Sequence, residues 1–138
     1  MLLLGIDIGT SFIKVSAIDA QTQQAGASAQ YPETEKQIIS LQLGWAEQDP
    51  EMWWECTIRA IRKLVDSDKL TGQQIAAIGI SYQMHGLVLV DKNQKVLRNA
   101  IIWCDSRAVA IGENALKEIG EKTCSSCLLN SPGNFTAS

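Results

Sequence analysis

The stretch Leu2-Leu3-Leu4-Gly5-Ile6-Asp7-Ile8-Gly9-Thr10-Ser11-Phe12-Ile13-Lys14-Val15-Ser16-Ala17 decides the fold. Residues 2–6 are an apolar run of strand length. After the Gly9-Thr10-Ser11 break, Ile13, Val15 and Ala17 alternate with Phe12, Lys14 and Ser16 at the two-residue period of a half-buried strand. Two strands joined by a short glycine-containing turn make a hairpin. Residues 21–24 read as a polar turn and 25–31 as a weaker third strand, which extends the hairpin to an antiparallel meander. Residues 33–43 show no period and read as loop.

Asp49-Pro50-Glu51 is a helix start: an aspartate cap, a proline in the first turn and an acid at the positive end of the dipole. Trp54, Ile58, Ile61 and Val65 then recur at helical spacing as the expected buried face, with the pair Trp53 and Trp54 expected in the core, and Thr71-Gly72 marks the exit. A strand is expected over residues 75–82. A hairpin follows, from strands 87–90 and 96–102 around the turn 91–94. Residues 106–120 read as a second helix with Val109, Leu116 and Ile119 inward and Gly120 as its stop. Strands with interspersed helices imply an α/β fold, a mixed sheet with flanking helices.

The composition excludes several classes. With 138 residues, 46% hydrophobic and 20% charged, the chain has globular make-up. Twelve basic against fifteen acidic side chains, with no basic run, leave no electrostatic footprint for nucleic acid or an anionic membrane. No apolar run approaches the ~20 residues of a membrane span, and the amino terminus lacks the basic region and cleavage site of a signal peptide. Four cysteines without an export signal are expected as reduced thiols in a cytoplasm. Cys124 and Cys127 form a C-x-x-C pair, readable as a redox pair or half a zinc site, or as two small side chains near a helix end; no second pair or histidine follows at zinc spacing.

Three segments carry candidate chemistry. Asp7 puts a carboxylate at a strand end, and successive amides over Gly9, Thr10 and Ser11 can form an anion-binding nest, for which phosphate is the natural guest. Asp7 would hold magnesium directly or through water, and the hydroxyls of Thr10 and Ser11 would add donors. The same residues also suit an ordinary hairpin turn. His85, the single histidine, lies in Gln83-Met84-His85-Gly86 between two apolar strands, where it could donate to a sugar hydroxyl or simply be exposed. Trp103-Cys104-Asp105-Ser106-Arg107 offers an aromatic face with hydrogen-bonding groups suited to a polyol, although Asp105 and Ser106 also suit helix capping.

Taken together, the Asp7–Ser11 turn, Gly44-Trp45-Ala46-Glu47-Gln48-Asp49-Pro50, the Trp53-Trp54 helix, Gln83–Gly86, Trp103–Arg107 and the Ser131-Pro132-Gly133-Asn134 ending resemble the amino-terminal part of the FGGY carbohydrate kinases, in particular the xylulokinase group. The resemblance spans nearly the whole chain in order. It implies an actin-like ATPase fold whose domains are built on ribonuclease-H-like sheets. Residues 1–138 would be the first part of the sugar-binding domain, and the nucleotide-binding domain would lie outside this chain. The implied reaction is transfer of the ATP γ-phosphoryl group to a sugar, D-xylulose giving its 5-phosphate, with ATP and Mg2+ as cofactors.

By the same resemblance Asp7 lies beside magnesium and the transferring group, and Gly9, Thr10 and Ser11 lie near the phosphates, with Lys14 as a further charge there. Met84 and His85 match the sugar-binding pair, and Trp103 and Asp105 belong to the same pocket. The aspartate that takes the hydroxyl proton and the adenosine site come later in the family than Ser138. The chain alone is therefore expected to be inactive, and to self-associate, as a homodimer for example, through apolar faces left uncovered. The competing expectation is a stand-alone sugar- or phosphate-binding or regulatory module without catalysis.

Overall fold

The computed structural model describes residues 1–68 and 70–133. They form two compact units, the first from Met1–Gln37 and Glu51–Gln83, the second from Ile38–Pro50 and the chain from Met84 onward.

The first unit holds the meander. Strands β1 (Leu2–Ile8), β2 (Ile13–Asp19) and β3 (Ala25–Tyr31) pair antiparallel, and β5 (Ile75–Tyr82) joins β1 in parallel, giving the sheet order β3-β2-β1-β5. The two-residue alternation decides which face is buried: Leu4, Ile6, Ile13, Val15 and Ala17 point to one side and form the core. Helix α1 (Pro50–Asp68) covers that side. A parallel neighbour needs a long crossover, and β2, β3 and α1 together supply it.

Helix α1 buries a different stripe from the expected one. Cys56, Thr57, Ala60 and Leu64 are buried, whereas Trp54 is 65% exposed and Ile58, Ile61 and Val65 are only half-buried. Trp54 is therefore not a core residue. The buried stripe lies roughly a third of a turn around the helix from the bulky one. Cys56, Ala60 and Leu64 join Leu4, Ile6, Ile13, Val15 and Ala17 in one buried cluster between helix and sheet. The displaced residues Trp54, Ile58 and Ile61 instead wall an apolar groove of about 380 Å3 floored by Ile6, Ile8, Ile78 and Ile80.

The second unit departs further from expectation. The hairpin over 87–102 reduces to the bridges Leu87↔Ile101 and Val90↔Val96, although the turn at 91–94 forms as expected, with Asp91 Oδ1 accepting from the Asn93 and Lys95 amides. β6 (Ala100–Ile101) pairs with β4 (Glu47–Gln48) on one edge and meets Leu87 on the other, while Val88, Leu89, Val90 and Leu97 stay exposed and give the hairpin no buried face to hold it.

Helix α2 (Val109–Ile119) starts three residues later than expected, because Asp105 and Ser106 bond to the 44–46 segment and do not cap it. Ile119 is exposed, so the expected inward stripe is incomplete. Gly112 is buried in α2 where the 132–133 backbone lies against it; a Cβ there would sit 2.7 Å from Gly133 Cα. Helix α3 (Glu121–Leu128), not foreseen, carries Cys124 buried and Cys127 exposed, both as free thiols. Residues 130–133 are irregular, and the rest of the anticipated terminal loop, from Asn134, lies outside the described residues. No described helix is long and apolar enough to cross a membrane.

Candidate functional site

In the first unit, the site begins where β1 ends. Asp7 is exposed and stands in register with Lys14 on β2 and Ser81 on β5. Together with Gly5, Ser16 and Gly79 these residues line an open depression of about 540 Å3 on the sheet face opposite α1. The turn that follows is held from the protein side. The Gly9 amide donates to the Phe12 carbonyl (3.1 Å), and a Cβ on Gly9 would come 2.9 Å from that oxygen, so glycine is required there by close approach. Thr10 Oγ1 donates to Gln83 Oε1 (3.0 Å), while the Gln83 amide donates to the Ile8 carbonyl (3.0 Å). Asp7, Gly9, Thr10, Ser11 and Lys14 are thus brought to one end of one sheet.

Lys36 completes this turn, and the aperiodic stretch 33–43 gave no sign of it. It is 7% exposed; its Nζ donates to the Gly9 carbonyl (2.9 Å) and its amide to the Ser11 carbonyl (2.9 Å). Burial pulls the Lys36 pKa down, opposed by the Cys56 and Asp7 charges.

In the second unit, the bridge Leu87↔Ile101 places His85 and Trp103 two residues beyond it on facing segments. His85 adopts a left-handed backbone (φ 58°), and Met84 and Trp103 are exposed. Asp105 does not share that exposure: at 3% it is buried, and its carboxylate accepts from the Ala46 amide (2.6 Å), the Arg107 amide (2.9 Å), and Arg107 Nε and Nη2 (2.9 and 2.7 Å). Arg107 also donates to buried Glu47 (2.8 Å) and stacks 3.8 Å from the Trp45 ring centroid, and Arg98 pairs with the same Glu47. Gly44 is required beside this cluster, because its φ is +80° and a Cβ would collide with Ser106 Oγ.

Burial alone would raise the Asp105 pKa, but the hydrogen bonds from Arg107 and the Ala46 amide and the Arg107 charge outweigh it and hold the carboxyl below its usual range. The unfolded chain then takes up this proton at higher pH than the folded one. The contribution is present above the unfolded value and is lost as pH falls through the folded value. The urea midpoint is expected to drop as pH falls below about 5, and Asp105→Asn to flatten that drop. An unchanged pH slope in the variant would assign the acid sensitivity to other carboxylates.

Comparison with known proteins fits this frame. The sequence model of the FGGY family of carbohydrate kinases, N-terminal domain, matches residues 2–132. Xylulose kinase of Escherichia coli (strain K12) is 45% identical over 105 residues, 75% of this chain and 20% of that protein. The L-xylulose/3-keto-L-gulonate kinase of the same organism is 42% identical over 108 residues, 78% of this chain and 21% of its own length. The crystal structure of ligand-bound xylulose kinase from Lactobacillus acidophilus superposes with a TM-score of 0.77 at 28% identity, covering 91% of this chain and 24% of that one. The chain thus spans about a fifth of the length of the curated relatives it matches. Its mixed sheet with flanking helices is the ribonuclease-H-like beginning of the actin-like ATPase fold that such kinases share. The chain belongs to the FGGY family of carbohydrate kinases, and the part of that family it represents is the N-terminal domain.

Proposed function

We propose that this chain is the sugar-binding N-terminal portion of an ATP-dependent ketose kinase that transfers the γ-phosphoryl group of ATP to a hydroxyl of D-xylulose, giving D-xylulose 5-phosphate and ADP. The observation that carries this reading is Asp7 at the end of β1, directly before a glycine turn held from behind by Lys36 and Gln83. It is supported by a family match to carbohydrate kinases and by relatives named xylulose kinase. In-line phosphoryl transfer asks the protein chiefly for positioning and charge stabilisation. The turn over Gly9, Thr10 and Ser11 holds phosphoryl oxygens, through its outward amides and the Ser11 hydroxyl, while the Gly9 amide and the Thr10 hydroxyl brace it internally on Phe12 and Gln83; Lys14 adds positive charge. Met84, His85 and Trp103 contact the sugar, His85 through a hydrogen bond to a hydroxyl and Trp103 through its ring. Asp105 serves that pocket indirectly, by holding Arg107 and the 44–48 segment.

A magnesium ion suits Asp7 in one respect. One exposed carboxylate can add a single oxygen, directly or through water, to an ion held largely by nucleotide phosphates, and no described group of three or more acidic, His or Cys side chains gathers to hold a metal alone. When bound, magnesium neutralises charge on the transferring phosphates. On this reading the base that accepts the hydroxyl proton and the adenosine site come from the part of such kinases that this chain does not span, the chain covering 20% of its Escherichia coli relative, and residues 1–138 alone are expected to give no turnover. Exposed Ile78 and Ile80 on β5 and the groove beside them support self-association of the isolated chain.

The test is a coupled ADP-release assay with ATP, magnesium and a ketose panel, run on the full-length protein containing this sequence and on the 138-residue chain. Turnover of D-xylulose by the first and none by the second is expected; no ketose turnover by the full-length protein, or turnover by the short chain, overturns the assignment. In the full-length protein, His85→Ala should raise the ketose KM about tenfold through loss of one polar contact, with kcat little changed. Unchanged kinetics across the panel would take His85 out of the site.

A further inference from the structure

We propose that Lys36 is the positioning residue of the phosphate turn: its ammonium and its own amide capture the Gly9 and Ser11 carbonyls, and so aim the Thr10 and Phe12 N–H groups at a bound phosphoryl anion. This rests on the phosphate-turn reading above. The N–H and C=O of a trans peptide point in opposite directions. Fixing the Gly9 carbonyl on Lys36 Nζ therefore turns the Thr10 N–H away from Lys36, and fixing the Ser11 carbonyl on the Lys36 amide does the same to the Phe12 N–H. The Phe12 carbonyl is drawn inward as well, onto the Gly9 amide. Three carbonyl oxygens that would repel an anion are thus engaged from the protein side.

Charge strengthens the effect. A buried ammonium behind the Gly9–Thr10 peptide polarises it, making its N–H a better donor on the far side. Lys36 is 7% exposed, and burying an ammonium is costly unless it is satisfied. Hydrophobic packing does not account for it, because the stem could have been a methionine. The fall in the Lys36 pKa caused by burial is opposed by the Asp7 charge, which places Lys36 within electrostatic reach of the proposed catalytic carboxylate.

The test uses the full-length protein containing this sequence, labelled with 2H and 15N and titrated with inorganic pyrophosphate. In the wild type, the Thr10 and Phe12 amide resonances should move and saturate. Lys36→Met, which keeps the length of the stem, should retain a dispersed spectrum yet bind about tenfold or more weakly, with Thr10 and Phe12 shifted even without ligand. Lys36→Arg should recover part of the affinity. A purely structural lysine would lower the melting temperature of Lys36→Met and leave the Kd of the folded protein unchanged, and that result overturns the proposal. Residual dipolar couplings on the wild type give a second measurement independent of any substitution; Thr10 and Phe12 N–H vectors directed toward Lys36 also overturn it. A wild-type turn that ignores pyrophosphate removes the phosphate reading itself, and this inference with it.

Discussion

Arg107→Met is expected to destabilise the chain by about 3–5 kcal/mol, the scale for removing one partner of a buried ion pair. The loss comes from what the substitution leaves behind. Asp105 keeps only the Ala46 and Arg107 amides as partners, having lost the guanidinium that donates to both of its oxygens. Glu47 is better placed, since Arg98 still pairs with it, so the larger part of the loss falls on Asp105. The stacking of the guanidinium on Trp45 disappears too. Arg107→Lys should recover little, because a single ammonium cannot reproduce a fork that serves Asp105 and Glu47 together. Arg107→Met combined with Asp105→Asn should lose less than Arg107→Met alone, since the uncompensated charge has gone. Urea unfolding followed by tryptophan fluorescence reads all four proteins. A loss below about 1 kcal/mol for Arg107→Met would mean that water reaches the Asp105 carboxylate and that the cluster behaves as a surface pair.

What was legible in the sequence follows from how local each determinant is. The strands at 2–8, 13–19 and 75–82 were readable because a two-residue alternation or a short apolar run states burial directly. The start of α1 was readable because Asp49-Pro50-Glu51 satisfies helix-end groups within a few residues. Its inward face was not. Periodicity weights bulk, whereas the stripe that joins the core runs through Cys56, Ala60 and Leu64, and its partners, Ile13 and Val15 among them, lie on a strand far off in sequence. The 87–102 hairpin shrank to two bridges for a similar reason: its propensity was real, but no apolar surface covers Val88, Leu89, Val90 and Leu97.

The candidate site divides in the same way. The Asp7–Ser11 turn and the Met84-His85 pair are contiguous segments and could be seen. Lys36 and Gln83 act across 27 and 73 residues of chain, and nothing near Lys36 marks it as buried. Arg107 was visible as a residue but not as a hub, since Glu47 and Trp45 reach it from 60 or more positions away. The Gly44-Trp45-Ala46-Glu47-Gln48 stretch did carry one usable signal: two polar side chains, Glu47 and Gln48, stand beside a helix start and prove to be buried. A buried polar pair demands partners, and Arg98 and Arg107 were candidates to supply them for Glu47.

On the kinase reading proposed above, Asp7→Asn in the full-length protein is expected to lower kcat by about 10²–10³ while leaving the fold intact. Asp7 is exposed, and Asn has the same shape, so the unfolding free energy should change by no more than an ordinary surface substitution allows, about 0.5 kcal/mol, with little shift in melting temperature. The catalytic loss has a different origin. On the proposed reading a neutral amide would offer one carbonyl oxygen where the carboxylate offers a full charge, so a magnesium ion held there, and through it the phosphates, would be positioned less firmly. An interaction made mainly in the transition state lowers kcat and kcat/KM together, whereas loss of uniform binding raises KM alone. The ketose KM should therefore hold steady in Asp7→Asn, in contrast to His85→Ala. Raising magnesium should restore part of the activity if Asp7 acts by holding the ion, because mass action then offsets the weakened site. Equal kcat in wild type and variant would place Asp7 outside the reaction and reduce the β1–β2 turn to an ordinary hairpin. A fall in kcat accompanied by a fall in melting temperature would make Asp7 a structural residue, in conflict with its exposure at the end of β1.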